Sequence, residues 1–438
     1  MDPAQRIPFK LSGLNRPALL LIASDTVAQG IRYGLVLYLG FYSLPFLGAF
    51  LFGTSVGALL AVAIDFGINQ HWIRLPASDP ALNRSTFTRV LLAKTGLSAS
   101  GLMLILGIAG AATWNIGPIP AMAYGLLLAL VQGLAEACES MCLARHRYQL
   151  VSLFRVSLGL SMYGLPLIIG FLFIAGGGDE TLSALLQIAS IMSVALLCGY
   201  AWSTAVPLPS GAAPSMGGYR EAWREARWLG FNQTAIVVDV RAPLVILGLM
   251  LGGTAVGLYG LVQRTTAVVE LAWASLSKLL LKSYAETASA GETAGVRSRM
   301  LAASKLTALI MVGATLSVWA GTLSIERVMA LSEETSVAFS LLRWALVAIS
   351  FSSLKRPLVT GLLALRHERV VSRINVLSAA GGVMLIPLLI LSFGIRGPVI
   401  GWIVLEGVAC WLLIRHFLSI PFAPRSGVDE PLPQRAGI

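Results

Sequence analysis

The sequence predicts an all-α polytopic membrane protein of about 12 transmembrane helices in two pseudo-symmetric six-helix lobes. Three observations carry that expectation. The 438-residue chain is 56% hydrophobic and only 12% charged, with a mean hydropathy of +0.78. Its apolar residues fall into twelve runs, each long enough to cross a bilayer at roughly 20 residues per helix. The two halves of the chain also resemble each other in sequence. A soluble domain carries about 25% charged residues, and this chain holds half that. The composition therefore excludes a water-facing globular enzyme, a nucleic-acid-binding domain and a disordered protein.

The runs are expected at residues 17–40, 43–64, 87–110, 118–138, 149–175, 183–206, 225–250, 254–277, 303–324, 336–354, 370–393 and 396–418. They are rich in Leu, Ala, Gly, Val and Ile and lack period-2 alternation, which argues for helices and against an outer-membrane barrel. The first run carries Asp25 and Arg32 and exceeds the length of a signal-peptide core, so it reads as a span rather than a cleaved signal. Trp72, Trp114, Trp202, Trp223 and Trp228 fall near expected span ends, as an aromatic belt would have them. Cys138, Cys142, Cys198 and Cys410 sit in or at the ends of apolar helices and read as small core residues.

The net charge is +11, from 32 Lys and Arg against 21 Asp and Glu. With the N-terminus on the cytoplasmic side, 26 of the 32 basic residues fall on cytoplasmic segments and helix ends, Lys94, Arg155 and Lys355 among them. Arg327 and Arg396 fall on the opposite face. That asymmetry predicts an N-in, C-in orientation. It also explains the charge as topology, with no nucleic-acid partner.

The stretch 207-PLPSGAAPSMGGYR-220 concentrates Pro, Gly and Ser between the sixth and seventh spans and reads as a cytoplasmic linker. It would divide the chain into an N-terminal lobe (1–206), a C-terminal lobe (221–419) and a cytoplasmic tail (420–438). Residues 141-MCLARHRYQLVSLFRV-156 match 362-LLALRHERVVSRINV-376, pairing Arg145-His146 with Arg366-His367. Further matches in the same order align Arg32 with Arg241, Lys94 with Lys305 and Pro166 with Pro387. Six spans per copy give both copies the same orientation, so the repeat is expected to be parallel, about a pseudo-two-fold along the membrane normal. Pro166 and Pro387 are expected bend points at matching places.

An ionisable side chain at mid-membrane costs at least roughly 2.5–3.5 kcal/mol on insertion scales, so each is a functional candidate. The four arginines inside spans are Arg32, Arg241, Arg264 and Arg343. Asp25 lies seven residues before Arg32, on the same helical face. Asp239, Glu270 and Glu406 are the other intramembrane carboxylates, expected to pair with the arginines or to couple ions. Arginine suits phosphate and carboxylate because its planar fork donates two hydrogen bonds at once, so a cationic cleft points to an anionic cargo. No P-loop, HExxH or paired CxxC pattern occurs in the chain. No cofactor is expected, and transport energy would come from a proton, sodium or cargo gradient.

Two segments resemble a known family. Residues 65-DFGINQHWIRL-75 are similar to the DFG…R end of the second helix in polysaccharide flippases. Asp239 followed by 256-VGLYGLVQR-264 is similar to the vGxYxxAxR segment of the same proteins. The chain thus resembles the polysaccharide transporter branch of the multidrug/oligosaccharidyl-lipid/polysaccharide exporter (MOP) superfamily, whose fold is MATE-like. The resemblance implies a non-enzymatic flippase for an undecaprenyl-diphosphate-linked oligosaccharide, working beside a polysaccharide polymerase and chain-length regulator. Arg32, Arg241, Arg264 and Arg343 would contact diphosphate or acidic sugars. Asp25, Asp239, Glu270 and Glu406 would couple protons or hold the arginines. Residues 65–74 divide between structuring a loop and touching cargo. Leu261-Val262-Gln263 stand where the family often has a small residue. The other readings are a multidrug cation antiporter of the same superfamily and a non-transporting scaffold of a polysaccharide assembly complex. A lipid II flippase fits less well, since those resemble fourteen-span proteins.

Overall fold

A computed structural model describes residues 16–74, 83–111, 118–168, 179–206, 216–266, 284, 293–328, 333–365 and 367–420. Its helices are α1 (Arg16–Tyr42), α2 (Leu44–Asp65), α3 (Ile68–Arg74), α4 (Arg84–Ala111), α5 (Ile119–Ala144), α6 (Tyr148–Gly159), α7 (Asp179–Ala205) and α8 (Met216–Leu251). They continue with α9 (253–266), α10 (Thr293–Val328), α11 (Glu333–Ala364), α12 (Glu368–Phe393) and α13 (Gly397–Ser419). Nine helical stretches among the described residues are long and apolar enough to span a membrane, and the last of them, Arg369–Ser419, contains two expected spans. The protein is an all-α polytopic membrane protein. α3 is a short extra helix inside the segment read as a loop. α8 begins at Met216, within the stretch read as linker; residues 207–215 lie outside the described residues. The outward faces of α4 and α10 expose Leu97, Met103, Leu104, Leu309, Ile310 and Leu316, as lipid-facing helices do.

The chain divides into two compact units, residues 1–264 with 379–398, and residues 265–378 with 399–438. The first is built around α2, which packs against α1, α4, α5 and α8. Small residues allow these contacts, as they do wherever lipid offers no hydrophobic drive between helices. Gly53 on α2 faces the Met122 carbonyl on α5, and Gly125 on α5 faces the Phe50 carbonyl on α2. Gly48 and Gly257 mark the same kind of approach between α2 and α9. At each position a side-chain methyl would overlap backbone atoms.

The segment 65–74 has a clear local structure. Phe66 and Gly67 take positive φ (38° and 83°) and turn the chain sharply out of α2. A Cβ at Gly67 would come within 2.6 Å of the Gly230 backbone nitrogen on α8, so only glycine fits there. Gln70 donates to Gln233 at 2.9 Å, and Phe66 packs edge-on to Phe231. Asp65 accepts from the Lys94 ammonium at 2.5 Å and from the Asn69 amide N–H at 3.3 Å; Lys94 also donates to Asn69 at 2.8 Å. The motif thus ties α2, α3, α4 and α8 together. Lys94, read as one of the basic residues marking the cytoplasmic face, is 4% exposed, whereas its repeat counterpart Lys305 is exposed. Trp72 is buried against Phe87 with Lys94 near its ring, so it is a core residue rather than part of an aromatic belt. Trp202 and Trp228 are exposed; the side chains of Trp114 and Trp223 lie outside the described residues. Cys138, Cys142 and Cys410 are buried, and Cys198 is exposed.

α6 runs into a π-helical turn, Leu160–Gly164, and resumes over 165–168. Pro166 has no N–H, so the Met162 carbonyl four residues earlier lacks its helical donor. The Tyr124 hydroxyl donates to that carbonyl at 2.5 Å. The sequence-expected bend at Pro166 therefore coincides with a distorted turn, while Pro387 lies inside the unbroken α12.

In the second unit, Val296, Met300, Leu358, Leu362, Leu413 and Phe417 form the center of the buried cluster. Gly361 makes room for the Met300 thioether. The matched segments end their helices alike: the Arg147 N–H bonds the Cys142 carbonyl after α5, and the His367 N–H bonds the Leu362 carbonyl after α11, each a 6→1 closure.

Two stability outcomes are expected in detergent-solubilised protein. Gly53→Val should cost about 1–3 kcal/mol by overpacking, whereas Gly96→Ala, with open space at its Cβ, should change stability by less than about 0.5 kcal/mol. Lys94→Ala leaves Asp65 as an unpaired, largely buried carboxylate and should cost about 3 kcal/mol; adding Asp65→Asn should recover part of the loss. Thermal unfolding followed by size-exclusion fluorescence reads each.

Candidate functional site

Two polar cavities lie side by side in the first unit. One, of about 360 Å³, is lined by α1, α5, α6 and α7, including Asp25, Gln29, Arg32, Arg155, Tyr163 and Tyr200. The other, of about 310 Å³, is lined by α1, α2, α3, α5 and α8, including Asp65, Gln70, Gln233 and Arg241. Both are bounded by Arg32, Gln132, Glu136 and Glu139. The last three recur on α5 at steps of four and three, which places them on one helical face. That polar stripe, in an otherwise apolar helix, is the sequence signal that an arginine-centred reading passes over.

Three of the four intramembrane arginines come together here. Arg264 is within electrostatic reach of both Arg32 and Arg241, and of the Tyr163 hydroxyl. The Arg32 guanidinium lies 5.4 Å from the Tyr163 ring centroid, a cation–π distance. The π-helical turn thus has a visible consequence, since it carries Tyr163 toward Arg32. Among the described residues, none of the three has a carboxylate within ion-pair distance. Each is half-buried. Arg32 and Arg241 on the cavity walls, with Arg264 within electrostatic reach of both, form a concentrated source of positive charge, and an anion with several oxygens satisfies them best.

The fourth arginine is placed elsewhere. Arg343, in the second unit, donates to Glu326 at 2.8 Å and lies near the Thr322 hydroxyl. Asp25 shares a cavity with Arg32, as its spacing suggests, but its nearest base is Arg155 at 4.0 Å. Arg155 forms a two-pronged pair with Glu139 through Nε, at 3.0 Å, and Nη2. Asp239 is within electrostatic reach of the Tyr259 hydroxyl. Glu406 is buried and paired with Lys355 at 2.7 Å, within the second unit. Glu270 lies outside the described residues. Gln132, Glu139 and Tyr163 carry no sequence expectation, whereas Arg155, expected on the cytoplasmic face, and Glu136, near the expected cytoplasmic end of its span, line the cavities.

No protein-family model and no curated protein matches the chain. Solved structures do match in fold. An inward-facing multidrug resistance MATE family transporter of the MOP superfamily superposes with TM-score 0.64 at 12% identity, over 92% of this chain and 98% of that one. The lipid II flippase MurJ, in an inward closed conformation, gives TM-score 0.69 at 10% identity, over 92% and 88%. An outward-facing MATE transporter gives 0.60 at 13%, over 92% and 93%. The chain is thus a multi-pass membrane protein with the MATE-like fold that these transporters and the flippase share.

Proposed function

We propose that the protein is a flippase that carries an undecaprenyl-diphosphate-linked oligosaccharide across a bacterial cytoplasmic membrane by alternating access. The observation that carries this reading is Arg32 and Arg241 on the wall of a polar cavity, with Arg264 within electrostatic reach of both and none of the three with a carboxylate partner among the described residues. A diphosphate offers it two phosphoryl groups, and guanidinium forks match such oxygens in pairs. The amide and hydroxyl groups of Gln29, Gln132, Gln233 and Tyr200 line the same cavities and suit sugar hydroxyls. The resemblance of segments 65–75 and 256–264 to polysaccharide flippases, and the fold shared with a lipid II flippase, support the cargo class.

In this reading the lobes 1–206 and 221–419 rock about the cytoplasmic linker 207–220, with both termini cytoplasmic. A polysaccharide polymerase and a chain-length regulator receive the product. Cargo contact falls to Arg32, Arg241 and Arg264, and Arg343 neutralises Glu326. A multidrug cation antiporter is the second reading, favoured by the coverage of a MATE transporter over 98% of its length. Against it, the Arg155–Glu139 and Lys94–Asp65 pairs already neutralise two of the cavity carboxylates.

Arg264→Ala should lower export of lipid-linked glycan by about ten- to a hundredfold at unchanged protein level, the loss of one or two charge-assisted hydrogen bonds. Wild-type export in that variant would overturn the cavity assignment. Arg343→Ala should instead lower thermal stability by about 1–3 kcal/mol through the orphaned Glu326, with export following the amount of folded protein. A glycan gel with quantitative blotting, beside thermal unfolding, separates the two outcomes.

A further inference from the structure

The carboxylates around the two cavities differ in one respect. Asp65 has Lys94, and Glu139 has Arg155, which also lies 4.0 Å from Asp25. Glu136 has only a long hydrogen bond, 3.5 Å, from the Gln132 side-chain amide. Among the described residues no Lys, Arg or His lies within ion-pair distance of it. The residue is exposed and lines both cavities.

The charges around Glu136 come from every neighbouring helix. On its own helix stands Glu139, and on α2 stands Asp65, both within electrostatic reach and both negative. Among the described residues, Lys94 on α4 is the base within that reach, and it is already committed to Asp65 and Asn69. The cavities add Asp25 and Arg32 from α1, Gln70 from α3, Arg155 from α6, Tyr200 from α7, and Gln233 and Arg241 from α8. An ionised Glu136 therefore sits beside two other acids, and among the described residues it has no base of its own to offset their repulsion. Taking up a proton relieves that repulsion and needs one oxygen only. The same charge faces the space that Arg32 and Arg241 bound, so it opposes any anion drawn to them.

We propose that Glu136 is a proton-binding group whose charge state sets the affinity of the arginine cavity for its anionic cargo. The proposal rests on the cavity reading above and adds a residue that the reading does not need. Protonation removes one negative charge from the cavity wall, and anion binding tightens. Reciprocally, a bound anion draws a proton onto Glu136, because the coupling between two ligands acts equally on both. The proton enters from the cavity side onto a Glu136 carboxylate oxygen and leaves by the same route.

The test uses the full chain in detergent and inorganic diphosphate as the probe, with binding read by tryptophan fluorescence. At about pH 8, Glu136→Gln should bind diphosphate about tenfold more tightly than wild type; at about pH 5 the two should bind alike. A gain in affinity cannot come from a damaged fold. Glu136→Asp, which keeps the titratable group, should keep the pH dependence of wild type. Equal or weaker binding by Glu136→Gln at about pH 8 would overturn the proposal. So would tightening of wild-type binding by sodium at fixed pH, which would assign the site to a metal ion. Arg264→Ala serves as the discriminating control. If it binds diphosphate like wild type, the arginine-cavity reading fails and the proposal fails with it. If it binds weakly while Glu136→Gln shows no gain, only the role of Glu136 is lost.

Discussion

The governing constraint on this structure is the cost of charge away from water. A bilayer interior tolerates an ionised side chain only if it is paired or faces an aqueous space. The chain meets that constraint pair by pair: Lys94 with Asp65, Arg155 with Glu139, Arg343 with Glu326, and Lys355 with Glu406. Outside these pairs, among the described residues, stand Arg32 and Arg241 on the cavity walls, Arg264 within electrostatic reach of both, and Glu136 on the wall that the two cavities share. Function is read from the remainder because the paired charges already have an explanation.

Packing serves the same end. Gly53, Gly125, Gly48 and Gly257 let α2 approach α5 and α9 until backbones meet. Helices held that closely leave little freedom for the side chains they carry. The Phe66–Gly67 turn then brings α3 against α8 and holds Gln70 to Gln233. The Tyr124 hydroxyl satisfies the carbonyl that Pro166 leaves free, next to the turn that carries Tyr163. A backbone irregularity in a membrane helix persists only where something satisfies its freed groups, and here that irregularity lies on the cavity wall.

Much of the fold was legible because its signals are local. Hydropathy over about 20 residues reports a span whatever the span packs against, and the twelve expected runs all fall on helices at least partly described. The Arg145-His146 and Arg366-His367 segments were legible as a repeat, and the shared 6→1 closures give that likeness a structural basis. The charges were legible only as members of spans. Arg155 and Lys355 read as markers of the cytoplasmic face, and Arg343 as a member of the cleft, because a sequence shows a charge without its partner. Those partners lie 16 to 29 residues away in the pairs Arg155–Glu139, Arg343–Glu326 and Lys94–Asp65, on other helices.

By itself, the sequence determined that the protein is helical and membrane-spanning, and that arginines inside its spans need an account. These properties follow from composition and periodicity, which do not depend on neighbours in space. Only the tertiary structure decided which arginines are spent. It removed Arg343 to a pair with Glu326, brought Arg264 within electrostatic reach of Arg32 and Arg241, and set Glu136 on the wall of two cavities with no base in ion-pair distance among the described residues. The physical reason is that a charge's cost is set by what lies within a few ångströms, and in a bundle of long helices those neighbours come from other helices.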